Sequence, residues 1–110
     1  LAARRRIDAL NLSVLEGNLR RALFSVQTSD DGAGWRTVFE GSSSGATTML
    51  ERVDLAPSWA RYVRVVGRGY TRNDGQPGAL WNSFGEIQVI PGNNAAPLAP
   101  DYALVLRAGE

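Results

Sequence analysis

The side chains best equipped for chemistry in this sequence are its arginines. Arg61, Arg64, Arg68 and Arg72 recur at short, regular intervals with no Asp or Glu between 61 and 73, and Arg4, Arg5 and Arg6 form a run near the start. A guanidinium is a planar fork of donors that holds a carboxylate through two parallel bonds. The clusters therefore suit an anionic ligand. The competing reading is solvated strand faces and structural ion pairs. Missing residue types exclude more. With no His and no Cys, the chain supplies no Ser-His-Asp triad, no thiolate nucleophile, no disulfide and no common zinc site. Lys is absent as well, and no two carboxylates are spaced as an obvious acid–base pair. Enzymatic activity is not expected.

Twelve arginines against eleven acids leave a net charge of +1 over 110 residues. Nucleic-acid binding draws on a strong local excess of positive charge, so no nucleic-acid partner is expected. No stretch approaches the ~20 consecutive apolar residues of a membrane-spanning helix. Leu1-Ala2-Ala3 leads into three arginines with no apolar core behind them, unlike a secretory signal. With Leu rather than Met in first place, the sequence reads as a processed chain or a piece of a longer one.

The elements that position these residues are strands. Leu10, Leu12 and Val14 alternate with Asn11 and Ser13; Ala22, Phe24 and Val26 alternate with a weaker face; Val53 and Leu55, then Ile87 and Val89, repeat the pattern. A period of two marks half-buried strands. Tyr62-Val63-Arg64-Val65-Val66 is nearly continuous and β-branched, which suits a strand covered on both faces. Glu16-Gly17-Asn18 is expected to join the first two strands as a hairpin, with Gly17 or Asn18 at positive φ. In Ser29-Asp30-Asp31-Gly32 the side-chain oxygens are expected to cap a tight turn. Trp35 is expected to close a hairpin mouth, Tyr62 and Arg64 to form a pair or cation–π contact, and Trp59 to anchor a loop to the core. Residues 1–90 thus form one all-β domain. Residues 91–101, rich in Pro, Gly and Asn, read as a linker or strap. Residues 102–110 read as a terminal strand or the start of a further segment.

Three ordered motifs now resemble a family. Phe24-Ser25-Val26-Gln27-Thr28-Ser29-Asp30-Asp31-Gly32 followed by Trp35 and Val38 resembles the F-x-V-x-x-S-x-D-G-x-x-W-x-x-V stretch of discoidin domains, also called coagulation factor V/VIII type C domains. Ala60-Arg61-Tyr62-Val63-Arg64 is similar to their A-R-Y-V-R strand, and Ser83-Phe84-Gly85-Glu86-Ile87-Gln88-Val89 to their closing S-x-x-E-I-x-V strand. Val66-Gly67-Arg68-Gly69 with Trp81-Asn82-Ser83 most resembles the family 32 carbohydrate-binding modules of alginate lyases, departing by the insertion Asp74–Leu80 and by Tyr70 where Asn is usual.

The resemblance implies an all-β, jelly-roll β-sandwich of the galactose-binding-domain-like type. The family's W-I-x-V-D-L-G strand and the Asp/Thr loop before it have no counterpart here, so the chain corresponds to roughly the C-terminal two-thirds of such a domain. Lost strands would bare sheet edges; a missing segment, another chain or the 98–106 strap is expected to cover them. The family's structural calcium takes one carboxylate from the closing strand, and Glu86 matches it. One Glu is too few for an ion that takes six to eight oxygens, so calcium binding by this chain alone is doubtful. The resemblance further implies a sugar site on loops at one end, with Arg68, Tyr70, Arg72, Asn73, Trp81 and Asn82 as its residues here. Aromatic faces for the sugar's C–H surface and guanidinium forks for carboxylates suit an acidic polysaccharide such as alginate. The implied function is a non-catalytic carbohydrate-binding module of a secreted polysaccharide-degrading enzyme, extracellular or at the cell surface. The alternative is a structural or protein/lipid-interaction discoidin domain docking on a catalytic neighbour or another chain. Lipid-binding relatives expose apolar residues on their loops, and the loops at 29–34, 41–45 and 73–78 carry none.

Overall fold

Alternating residues can bury one face only if a second sheet lies against it, and that is what the strands do here. The structure, a computed structural model, describes residues 4–91 and 103–108. Its strands are β1 (Arg5–Val14), β2 (Arg20–Ser29), β3 (Arg36–Ser42), β4 (Glu51–Ala60), β5 (Tyr62–Arg72), β6 (Phe84–Pro91) and β7 (Ala103–Ala108). They make two sheets, ordered β4-β1-β6 and β3-β2-β5-β7. All neighbours are antiparallel except β7, which runs parallel to β5 from Tyr62↔Ala103 to Gly67↔Ala108. No helix of the described residues is long and apolar enough to cross a membrane. The linker or strap read at 91–101 lies, beyond Pro91, outside the described residues.

The core forms between the sheets. Ile7, Leu10 and Leu12 of β1 face Ala22, Phe24 and Val26 of β2 and Val63 and Val65 of β5, with Val53, Leu55 and Val89 closing the sides. Phe24 is fully buried, and its ring lies 5.2 Å from Phe39 and 5.8 Å from Phe84, centroid to centroid. Burying each such side chain stabilises by about 1.5–3 kcal/mol. Strict alternation would place Ile7 and Leu10 on opposite faces. A register shift between Ile7 and Ala9, present against both β4 and β6, turns both inward.

Several expectations change. β1 and β2 belong to different sheets, so residues 15–19 cross between sheets and are not a hairpin turn. Two apolar faces that must meet each other cannot lie side by side in one sheet. The positive φ of that crossing falls on Glu16, at 53°. Gly17 is required for another reason: a Cβ there would lie 2.3 Å from the Thr47 carbonyl oxygen. Arg64 pairs with the Gln27 side-chain oxygen (Nε, 2.8 Å) and lies 4.0 Å over the Trp35 ring, so its aromatic partner is Trp35 rather than Tyr62. Trp59 is no core anchor: it is 55% exposed. The outward face of β5 is only half-covered, with Tyr62, Arg64 and Val66 intermediate in burial.

The Asp31 turn is built as its composition suggests. Ser29 Oγ accepts from the Gly32 N–H at 2.9 Å, and Asp31 Oδ1 accepts from Ala33 and Gly34 at 2.8 and 2.9 Å. Gly34, then Ala33 and the Ser29 hydroxyl, hold the Asp31 carboxyl below the usual carboxylate range. A lowered folded-state pKa means stabilisation that is present at neutral pH and lost as pH falls through that value. Carboxyl NMR titration should therefore find Asp31 protonating at lower pH in the folded chain than in a peptide of residues 28–35; equal midpoints would show the cap to be absent in solution. Phe24→Ala should cost about 3–5 kcal/mol in urea unfolding, and a cost under about 1 kcal/mol would remove Phe24 from the centre of the core.

Candidate functional site

At one end of the sandwich β1 passes into β2 and β5 passes into β6, and their loops enclose a cavity of about 460 Å³. Its walls are Glu16, Leu19, Arg20, Tyr70, Arg72, Asn73 and Asp74. Backbone constraints at the end of β5 place Tyr70. Gly69 has φ +99°, and a Cβ there would lie 2.2 Å from the Ala79 carbonyl oxygen. Its N–H donates to Asn82 Oδ1 (2.7 Å), while Asn82 Nδ2 donates to Gly69 O (2.6 Å) and Leu23 O (3.4 Å). Tyr70 N donates to Ala79 O at 2.9 Å. The inserted Asp74–Leu80 segment is thus laid back against β5.

Arg20 holds the aromatic wall in place. Its side chain is 8% exposed and bridges Glu16 Oε2 at 3.1 Å, and its Nε donates to Leu15 O at 3.0 Å. The guanidinium carbon lies 4.3 Å from the Tyr70 ring centroid and 5.0 Å from that of Trp81. Tyr70 and Trp81 meet edge to face at 5.1 Å. A desolvated cation–π contact contributes about 2 kcal/mol, so Arg20 favours this placement of the two rings. Two residues beyond Tyr70 along the same face of β5, Arg72 grips Asp74 through one edge of its fork, Nε–Oδ1 3.2 Å and Nη2–Oδ2 2.5 Å. That bond raises the Arg72 pKa and, with the Gln76 N–H, lowers that of Asp74. Asn73 Nδ2 donates to Gly45 O (2.8 Å) and Asn18 O (3.3 Å), tying three loops together.

Of the six residues expected in a sugar site, the structure brings Tyr70, Arg72 and Asn73 into the cavity wall. Trp81 stands against Tyr70 and is 51% exposed. Asn82 is turned into the backbone of Gly69 and Leu23. Arg68 lies elsewhere, its Nη2 3.3 Å from Ser25 Oγ on β2. Sequence reading missed Glu16, Leu19, Arg20 and Asp74. The Glu16/Arg20 spacing was visible, but nothing local showed that the turn bearing it meets the end of β5. Glu86 is exposed; its N–H donates to Ser13 Oγ (2.9 Å) and its carboxylate accepts from Gln88 (3.4 Å). Among the described residues no three His, Cys, Asp or Glu gather as a metal site.

The loops at 29–34, 41–45 and 73–78 are polar, and of these the last two lie at the cavity end. Leu15 (58%), Leu19 (57%), Met49 (74%), Leu50 (40%), Leu80 (80%) and Trp81 (51%) stand exposed at this same end. The three loops themselves carry no large apolar residue, as expected; these six side chains lie outside them.

No protein-family model and no curated protein sequence matches the chain. Solved structures do. The CBM32 of AlyQ in complex with 4,5-unsaturated mannuronic acid matches with TM-score 0.68 and 28% identity, over 80% of this chain and 64% of that one. Truncated AlyQ with CBM32 and alginate lyase domains matches with TM-score 0.69 and 29% identity, over 81% of this chain and 22% of that one. A pectin-binding carbohydrate-binding module matches in fold, with TM-score 0.60 and 19% identity, over 96% of this chain and 68% of that one. The chain thus spans somewhat less than two-thirds of the AlyQ module that it matches, 64% of its length. Two facing sheets, the three discoidin-like motifs in their strands and these matches together give the chain the discoidin-like β-sandwich fold of the family 32 carbohydrate-binding modules.

Proposed function

We propose that the cavity lined by Tyr70 and Arg72 binds carbohydrate, and that the chain serves as a non-catalytic module for an acidic polysaccharide such as alginate, within a secreted polysaccharide-degrading enzyme. One observation carries the reading: an aromatic pair, Tyr70 and Trp81, packed on the buried Arg20 beside a half-exposed guanidinium–carboxylate pair. A sugar ring presents an apolar C–H face and an equatorial belt of hydroxyls. The first packs on Tyr70, and the second pairs with Glu16, Arg72 and Asp74. A uronate carboxylate replaces Asp74 on the Arg72 fork. Both partners of that pair are about half exposed, 46% and 51%, so exchanging one carboxylate for another desolvates little. The solved AlyQ module holds 4,5-unsaturated mannuronic acid, which supports the ligand class. With His, Cys and Lys all absent from the chain, recognition fits the residue inventory better than catalysis.

The exposed apolar side chains support a second reading, docking of the same end on a neighbouring domain, another chain or a lipid surface. The two readings separate by mutation. In affinity electrophoresis through alginate, Tyr70→Ala and Arg72→Gln should each weaken retardation at least tenfold, while Leu80→Ser leaves it nearly unchanged. Retardation that resists both site substitutions would sink the carbohydrate reading. Asn82→Ala should act on stability, costing about 1–3 kcal/mol because the Gly69 N–H loses its acceptor, as thermal or urea unfolding would report.

A further inference from the structure

The opposite end of the sandwich carries a second cleft that the site above does not use. It lies between the edge strands β3 and β4, has a volume of about 420 Å³, and is walled by Arg4, Arg36, Thr37, Pro57, Ser58 and Trp59. Strand registers place it at the far end: Thr28 pairs with Arg36 and Arg5 with Ala60, whereas Arg20 pairs with Arg72 at the first cavity.

Charge distinguishes the two. The first cavity is lined by two arginines and two acids, each arginine already bridged to one of the acids, Arg20 to Glu16 and Arg72 to Asp74. The second is lined by two arginines and no acid. Arg4 shares Asp30, Nε–Oδ1 2.9 Å. Arg36 forms no ion pair among the described residues; its bonds run from Nη2 to Ser58 Oγ and the Trp59 carbonyl, both 3.0 Å. Those bonds hold the guanidinium across the gap between sheets by Nη2, the nitrogen common to both edges of the fork, so a ligand oxygen reaches it through Nε or Nη1 singly. Beside it stands Trp59, 55% exposed, its carbonyl also reached by Arg4 Nη2 at 3.4 Å. An exposed tryptophan and an anchored guanidinium without a carboxylate partner, lining one cleft, suit a carboxylate-bearing sugar ring.

We propose that this cleft is a second saccharide subsite, taking a uronate residue with its carboxylate on Arg36 and its C–H face on Trp59. It rests on its own residues and shares only the ligand class with the reading of the first cavity. A polyuronate long enough to reach both ends is then held at two points, and its second contact forms at high effective concentration.

The test uses the whole chain, ¹⁵N-labelled, in a Tyr70→Ala background that disables the first cavity. Trigalacturonate and trimannuronate are titrated against neutral cellotriose. The Trp59 indole N–H and the Arg36 Nε–H should shift with both uronates and not with cellotriose. Arg36→Gln, and separately Trp59→Ala, should weaken the uronate titration at least tenfold. A Trp59 indole that stays still through the millimolar range overturns the proposal whatever the first cavity does. Equal shifts with cellotriose overturn the role of the carboxylate, and tighter binding of hexaglutamate than of either uronate overturns the sugar assignment. Loss of alginate retardation in Tyr70→Ala with Trp59 still titrating would separate the two sites.

Discussion

The structure depends on one requirement: β1 and β2, consecutive in the chain, must bury their apolar faces against each other. Ile7, Leu10 and Leu12 meet Ala22, Phe24 and Val26 across the gap between sheets, so the chain crosses from one sheet to the other at residues 15–19. The same demand recurs at β3–β4, β4–β5 and β5–β6, and among the described consecutive strands through β6 only β2 and β3 are joined within a sheet. Crossings collect at the two ends of a sandwich. Each end therefore gathers loop residues distant in sequence, and both clefts are products of that geometry.

Crossing loops are short of backbone partners, and the side chains that satisfy them also shape the first cavity. Asn82 clamps Gly69, Asn73 ties Asn18 and Gly45, and Arg20 binds the Leu15 carbonyl while filling the space behind Tyr70 and Trp81. Residue types that read as ligand contacts thus divide between two tasks. Tyr70 and Arg72 face the opening, whereas the Asn82 amide is taken up by backbone groups. An amide side chain beside a glycine strand end suits either task, and only the neighbouring carbonyls decide which.

The strands were legible because alternation is a local signal. Leu10 to Val14, Ala22 to Val26 and Val53 to Leu55 are buried where their period places them, and the Ser29–Gly34 turn follows from the hydrogen-bonding reach of its own side chains. The bulge at Ile7/Ala9 was not legible, since it answers to β4 and β6 at once. Neither was the partner of Arg64, which is chosen by the β2–β3 hairpin that carries Trp35 over β5. Trp59 went wrong for a related reason. Its size and its even spacing from Val53 and Leu55 suggest a core residue, but the register shift between Asp54 and Ser58 turns it outward.

By itself the sequence determined the class of structure, the strand positions, the exclusion of His- and Cys-based chemistry and a resemblance that the matched solved structures share. It also marked Tyr70, Arg72 and Asn73, whose types are informative wherever they stand. Tertiary structure alone decided that Arg20 from the start of β2 would lie under Tyr70, that Leu15, Met49 and Leu80 would crowd one end, and that Arg36 would meet Trp59 at the other. The reason is physical: alternation fixes which face of a strand is buried, but which ends meet depends on how two sheets stack, and no local pattern encodes that.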